Sequence, residues 1–158
     1  MKYESLVSGK EDFAMIGRYL ALNHTLEDYV HKNTLDTLEE NMSNALLLDT
    51  ENLPEDIIHI YSKITVSCES TWSETFQIVP PEEEDIRKDK ISVINTLGAS
   101  VIGLSEGDHI KYGLPGDIMK LKIIKVEQSK KQVEVDIAQD LFEKSIPKHY
   151  KNSLTLNT

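Results

Sequence analysis

Two pieces of one stretch decide the fold. The first is Lys90-Ile-Ser-Val-Ile-Asn-Thr-Leu-Gly-Ala-Ser-Val-Ile-Gly-Leu-Ser-Glu-Gly-Asp-His-Ile110. The second runs from Leu114-Pro-Gly-Asp117 into Met119-Lys-Leu-Lys-Ile-Ile-Lys-Val126. Ile91, Val93 and Ile94 are strand formers. Leu97–Gly103 is small and apolar with a glycine near each end, which suits a short helix. Glu106-Gly107-Asp108 and Pro115-Gly116-Asp117 are turn signals. The order reads strand, short helix, tight turn, strand, turn, strand. Gly103, Gly107 and Gly116 are structural turn glycines, placed where backbone φ turns positive. They form neither a dinucleotide fingerprint nor a phosphate loop, because the spacing of both patterns is absent.

Working outward, the pattern has period two on both sides of this stretch. Strands are predicted at about 60–68, 74–79, 91–94, 109–114 and 118–128, with a sixth at 133–137 turning back through Ser129–Gln132. Residues 81–90, Pro-Glu-Glu-Glu-Asp-Ile-Arg-Lys-Asp-Lys, read as a charged loop. Upstream the period is helical from 10 to 48. Phe13, Ile16, Gly17 and Leu20 share one face, and Leu35, Leu38, Met42 and Ala45 recur at 3, 4 and 3. A break at Leu22-Asn23-His24-Thr25 predicts two antiparallel helices, the second about twenty residues and ~30 Å long. The seam on that helix can pair within the hairpin or between chains, so the oligomeric state stays open. Asp49–Pro54 is the linker, since Pro54 ends any helix before it. The class is α+β, with a hairpin over 1–52, a sheet domain over 53–137 and a tail over 138–158. That tail holds a short helix near 139–144 at most.

The bulk chemistry narrows the function. The 158 residues hold 17 Lys and Arg against 27 Asp and Glu, a net charge of −10. Tight independent binding to DNA or RNA needs a basic face, and no basic run stands out. Lys120, Lys122 and Lys125 read as ordinary alternation on one strand face. Aromatic residues make up 6%, too few for a stacking platform or a large aromatic pocket. One cysteine, Cys68, excludes an internal disulfide and a cysteine zinc site. His24 and His31, seven apart near Glu27 and Asp28, lack a third ligand, so no metal site is expected. No serine has a nucleophile-elbow context. No cofactor, no catalytic residue and no membrane span are expected, and the N-terminus lacks an apolar signal core, which points to the cytoplasm.

The order of residues around the deciding stretch resembles the C-terminal domain of the bacterial Gre-type transcript cleavage factors. That family runs I-S-V-x-S-P-L-G-x-A-L-x-G-x-x-x-G-D-x-V-x-x-x-x-P-x-G. Ile91, Ser92, Val93, Leu97, Gly98, Gly103, Gly107, Asp108 and Pro115 fall on it in order, and Gly116 stands one position before its last glycine. Leu53-Pro54-Glu55-Asp56-Ile57-Ile58, followed by Ser62-Lys63-Ile64-Thr65-Val66, is similar to the opening of the shorter Rnk-like branch. The resemblance covers about residues 53–128. It implies an FKBP-like fold for the sheet domain, and a transcription regulator that docks on the rim of the RNA polymerase secondary channel. Ile94, Asn95, Thr96 and Leu97 match the docking loop. There Asn95 and Thr96 replace the family's Ser-Pro pair, Thr96 is read as the helix cap, and Ile94 stands where an acid can occur. Gre factors place tip acids at the polymerase metal site. Glu27 and Asp28 lie near the turn expected here, yet the D-x-S-E-N-A tip run is missing and the arms are short. As first-turn residues they also suit the helix dipole. The resemblance thus implies a non-enzymatic regulator, with true cleavage stimulation through Glu27 and Asp28, or a module for another partner, as alternatives. Peptidyl-prolyl isomerase chemistry is disfavoured by the shortage of aromatics.

Overall fold

The computed structural model describes residues 2–22, 29–68, 71–114 and 116–131. The chain begins with β1 (Val7–Gly9) and α1 (Lys10–Leu22), then α2 (Tyr29–Met42) and β2 (Leu46–Leu48). The sheet domain follows as β3 (Lys63–Cys68), β4 (Trp72–Val79), β5 (Lys90–Ser92), α3 (Thr96–Val101), β6 (His109–Leu114) and β7 (Asp117–Glu127). Five strands form one sheet in the order β5-β4-β3-β7-β6. Only the β4–β5 pairing in it is parallel. The architecture is α+β with an antiparallel-rich sheet and a short helix, as the sequence predicts.

Alternation explains the sheet. Ile64 and Val66, Phe76 and Ile78, and Leu121 and Ile123 are all buried, while Lys63, Thr65, Thr75, Gln77, Lys120 and Lys122 between or beside them are not. The run Leu121-Lys-Ile-Ile-Lys-Val126 breaks strict alternation because the β3–β7 register shifts there. Val66 pairs Ile123, Thr65 pairs Lys125, and Ile124 is the extra residue of a bulge. The bulge returns Val126 to the inner face opposite Ile64.

Three expectations need correction. The second helix, described from Tyr29, ends at Met42 rather than running on to residue 48. Leu46–Leu48 leaves the helical pattern and pairs in parallel with Val7–Gly9, forming a small two-stranded sheet. A run of three leucines at a chain reversal cannot be assigned to helix or strand by period alone. Residues 81–90 are not a loose loop. They form two short 3₁₀ turns, and the Glu84 carboxylate accepts the Ser92 N–H at 2.8 Å. The sixth strand, the helix near 139–144 and the tail lie outside the described residues.

The hairpin and the sheet share one core. Phe13, Ile16, Leu35, Leu38 and Met42 are buried in the same cluster as Ile64, Phe76, Val101 and Leu121. The 3-4-3 seam is therefore consumed inside the chain. A boundary near residue 52 separates the elements but not the packing. Burying a large aliphatic or aromatic side chain contributes about 2 kcal/mol, so this shared core fixes the hairpin against the sheet.

Candidate functional site

The loop between β5 and α3 is built from its backbone upward. Ser92 is buried. Its carbonyl accepts the Asn95 N–H at 2.9 Å, and its hydroxyl accepts the Ile94 N–H at 3.2 Å. Asn95 has extended backbone, and its side-chain oxygen accepts the Leu97 N–H at 3.0 Å. Asn95, not Thr96, is thus the helix cap. The cap needs non-helical φ/ψ, and Thr96 is already the first helical residue. Asn95→Ala should cost about 1 kcal/mol, read as a lower midpoint in urea. Ile94, Asn95 and Thr96 are half-buried, whereas Leu97 belongs to the core. Leu97 therefore holds the loop in place and leaves Ile94–Thr96 as its outer surface.

A second contact ties this loop to the hairpin. His31 on α2 places Nε2 against the Ile94 carbonyl oxygen in a short hydrogen bond, which makes that ring nitrogen the protonated one. His31 is thus engaged by the candidate docking loop, and no group of three or more potential metal ligands occurs among the described residues. The expected tip residues Glu27 and Asp28, and His24 with them, lie outside the described residues.

Gly103, Gly107 and Gly116 have φ of 78°, 96° and 92°. Gly103 has a further duty, because its carbonyl accepts the Val7 N–H at 3.2 Å and a Cβ there would sit 1.6 Å from Leu6 Cδ2. Asp108 is structural: its Oδ2 accepts from the Ser105 N–H at 2.9 Å and the Ser105 hydroxyl at 3.0 Å. Its Oδ1 accepts the Lys2 N–H at 2.8 Å.

Sequence reasoning missed a polar cleft between hairpin and sheet. About 430 Å³ in volume, it is lined by Glu11, Asp12, Glu55, His59, Gln128 and Lys131, among others. Asp12, in the first turn of α1, accepts the Ile60 N–H at 2.9 Å. Burial pushes its carboxyl up to about 7, against the lowering effect of that hydrogen bond. Burial pushes the His59 imidazole down, and its Nε2 has no hydrogen-bond partner. Nearby, Tyr61 has φ 79° and donates its hydroxyl to Glu83, while Lys131 reaches the same carboxylate at 3.0 Å. These partners hold the Glu83 carboxyl below its usual range. Only the apolar helix face around Asp12 hinted at its burial.

Residues 53–128 match the family described as transcription elongation factor, GreA/GreB, C-term. The chain is similar to transcription elongation factor GreA of Syntrophus aciditrophicus (strain SB), at 31% identity over 101 residues. That match covers 63% of this chain and 62% of the relative. It is also similar to GreA of Magnetococcus marinus, at 33% identity over 90 residues, covering 56% and 57%. The chain thus spans about three fifths of the length of these curated relatives. Among solved structures, the prokaryotic transcription elongation factor GreA/GreB from Nitrosomonas europaea superposes with a TM-score of 0.61 at 25% identity. That likeness covers 78% of this chain and 98% of the other.

Proposed function

We propose that this chain, whose residues 53–128 match the GreA/GreB C-terminal family, is an RNA polymerase-binding transcription elongation regulator without catalysis of its own. Its sheet domain docks at the rim of the secondary channel through Ile94, Asn95 and Thr96, in the manner of the short Rnk-like branch. It works in the cytoplasm, where polymerase does, and no described helix is long and apolar enough to cross a membrane.

The observation that carries this reading is the coupling of a family docking domain to a short hairpin. The described parts of the two helices, Lys10–Leu22 and Tyr29–Met42, have 13 and 14 residues. At ~1.5 Å per residue those parts come to about 20 Å each. Such an arm suits a plug that competes with cleavage factors better than a lever delivering carboxylates deep into the enzyme. The interface needed is modest, near ~1,000 Å². Because α2 meets the loop through His31 and Ile94, docking and hairpin position are linked. The second reading, donation of Glu27 and Asp28 to the polymerase metal site, is favoured by their place between α1 and α2 in the sequence.

Thr96→Arg tests the docking surface without removing the Asn95 cap. Purified bacterial core polymerase should be retained by the wild-type chain and lost, by roughly tenfold or more in affinity, with the variant. Equal retention would sink the rim assignment. In a backtracked complex, the wild-type chain should leave transcript cleavage unstimulated. Stimulation that disappears in Glu27→Ala/Asp28→Ala protein would install the second reading instead.

A further inference from the structure

We propose that the open face of the five-stranded sheet is a docking surface for an acidic polypeptide segment of a partner protein, with apolar side chains interspersed among its carboxylates. This surface is separate from the loop at Ile94–Thr96 and does not depend on the polymerase reading.

The register builds the surface. Residues paired across neighbouring strands point to the same side of a sheet. Lys122 pairs with His109 on one side and Ser67 on the other, and Ser67 pairs with Ser73. Lys120 pairs with Lys111, Lys125 with Thr65, and Lys63 with Glu127. Lys63, Lys111, Lys120, Lys122 and Lys125 are all exposed. On this face of β3, β4, β6 and β7 they meet one strand carboxylate, Glu127, held by Lys125 at 2.8 Å, and Glu106 in the turn before β6 also acts on Lys125. A chain of net charge −10 has therefore concentrated lysines on one sheet face.

The arrangement works against the fold taken alone. Like charges directly opposite one another, as Lys111 and Lys120 are, destabilise an antiparallel pair. No described acidic side chain neutralises Lys111, Lys120 or Lys122. A single-sign field of this kind costs little when an oppositely charged partner covers it, and it speeds the encounter.

Three features choose an acidic polypeptide over a nucleic acid. Ile118 and Ile124, 58% and 42% exposed, stand among the lysines and offer apolar contact that a phosphate backbone does not use. The face presents no Phe, Tyr or Trp ring for a base to stack on, only the imidazole of His109. The charge of the rest of the molecule repels a polyanion as dense as nucleic acid. In addition, Ile118, Lys120 and Lys122 repeat every ~6.8 Å, which is the alternate-residue spacing of an extended peptide.

The test uses the full chain and a fluorescein-labelled peptide of about twelve residues repeating Glu-Leu-Asp-Ile, read by anisotropy. An oligothymidylate of equal length serves as the comparison. The peptide should bind at about 50 mM salt and weaken by roughly tenfold at about 300 mM. Lys120→Glu/Lys122→Glu should weaken it by roughly tenfold or more. Ile118→Ser/Ile124→Ser should weaken it by about fivefold without changing the salt dependence. Lys111→Glu guards against misfolding as an explanation: it should weaken the peptide while raising Tm, because it converts a repulsive pair into an attractive one. Absence of peptide binding, or indifference to all three variants, overturns the proposal. So does oligothymidylate binding as tightly as the peptide. Peptide affinity that rises roughly tenfold when Glu134, Asp136 and Asp140 are changed to Gln also overturns it, because the chain's own acidic stretch would then be the occupant.

Discussion

Gly98→Ala should lower stability by about 2–4 kcal/mol and abolish binding to polymerase in the same step. An ideal Cβ at Gly98 would lie 2.2 Å from the Ser92 carbonyl oxygen and 3.3 Å from the Val93 Cα. Both obstacles are backbone, so no side chain can swing aside. That carbonyl also accepts the Asn95 N–H, and it starts the turn that presents Ile94–Thr96. Gly98 itself is buried, and its carbonyl accepts the Ile102 N–H at 3.1 Å. Relieving the clash means moving α3 away from β5, which opens the core at Leu97 and Val101. Urea denaturation gives the stability, and retention of core polymerase by the folded fraction gives the docking effect. A Gly98→Ala protein with wild-type midpoint would show that α3 can shift freely. Normal polymerase retention by a destabilised protein would detach the loop from function.

Asp12→Asn should stabilise the protein above neutrality and flatten its stability between about pH 4 and 7. The sign follows from proton uptake. In the folded chain burial raises the Asp12 carboxyl to about 7, while in the unfolded chain it keeps an ordinary carboxylate value. Across the interval between those values the unfolded state is ionised and the folded state holds the proton. Stability is therefore fully present below the unfolded value and falls as pH rises through the folded one. The full shift corresponds to about 4 kcal/mol, and relaxation of the site around the charge reduces what is realised to about 1–3 kcal/mol at pH 8. Asparagine keeps an acceptor for the Ile60 N–H, so the variant removes the charge without the hydrogen bond. His59 works on the opposite limb. Its depressed imidazole contributes stability above the usual histidine range that is lost as pH falls. Thermal midpoints from pH 4 to 9 separate the two groups: the variant should keep the acidic loss and lose the decline toward neutrality. A variant less stable than wild type at pH 8 would mean that Asp12 acts as a charged helix-end group, and the prediction would fail.

Local chemistry was enough for much of this protein. Alternation placed β3, β4, β6 and β7, since a half-buried strand must show period two and the turns at Gly107 and Gly116 bound β6 and β7, while the strand formers at 91–94 located β5 only approximately, at Lys90–Ser92. The small apolar run after Asn95 sufficed for the existence of α3, though its cap is Asn95 rather than Thr96. Spacing brought Ile94–Leu97 to notice and gave Leu35, Leu38 and Met42 as a buried seam. The residues from Leu46 to Leu48 could not be settled that way, because their state depends on a parallel partner, Val7–Gly9, nearly forty residues distant.

What only the tertiary structure decided is everything that depends on neighbours far apart in the chain. His31 became a partner of Ile94 across 63 residues, and Asp12 a partner of Ile60 across 48. Neither pairing leaves a local mark, since a histidine or aspartate on a helix looks the same to its sequence neighbours whether it faces water or a carbonyl. The lysines, which read in sequence as ordinary alternation, became a surface once strand order set Lys111 opposite Lys120 and His109 opposite Lys122. Period fixes which face a residue takes, because that is geometry along one strand. Strand order fixes what shares the face, because it is set by long-range pairing and a common core.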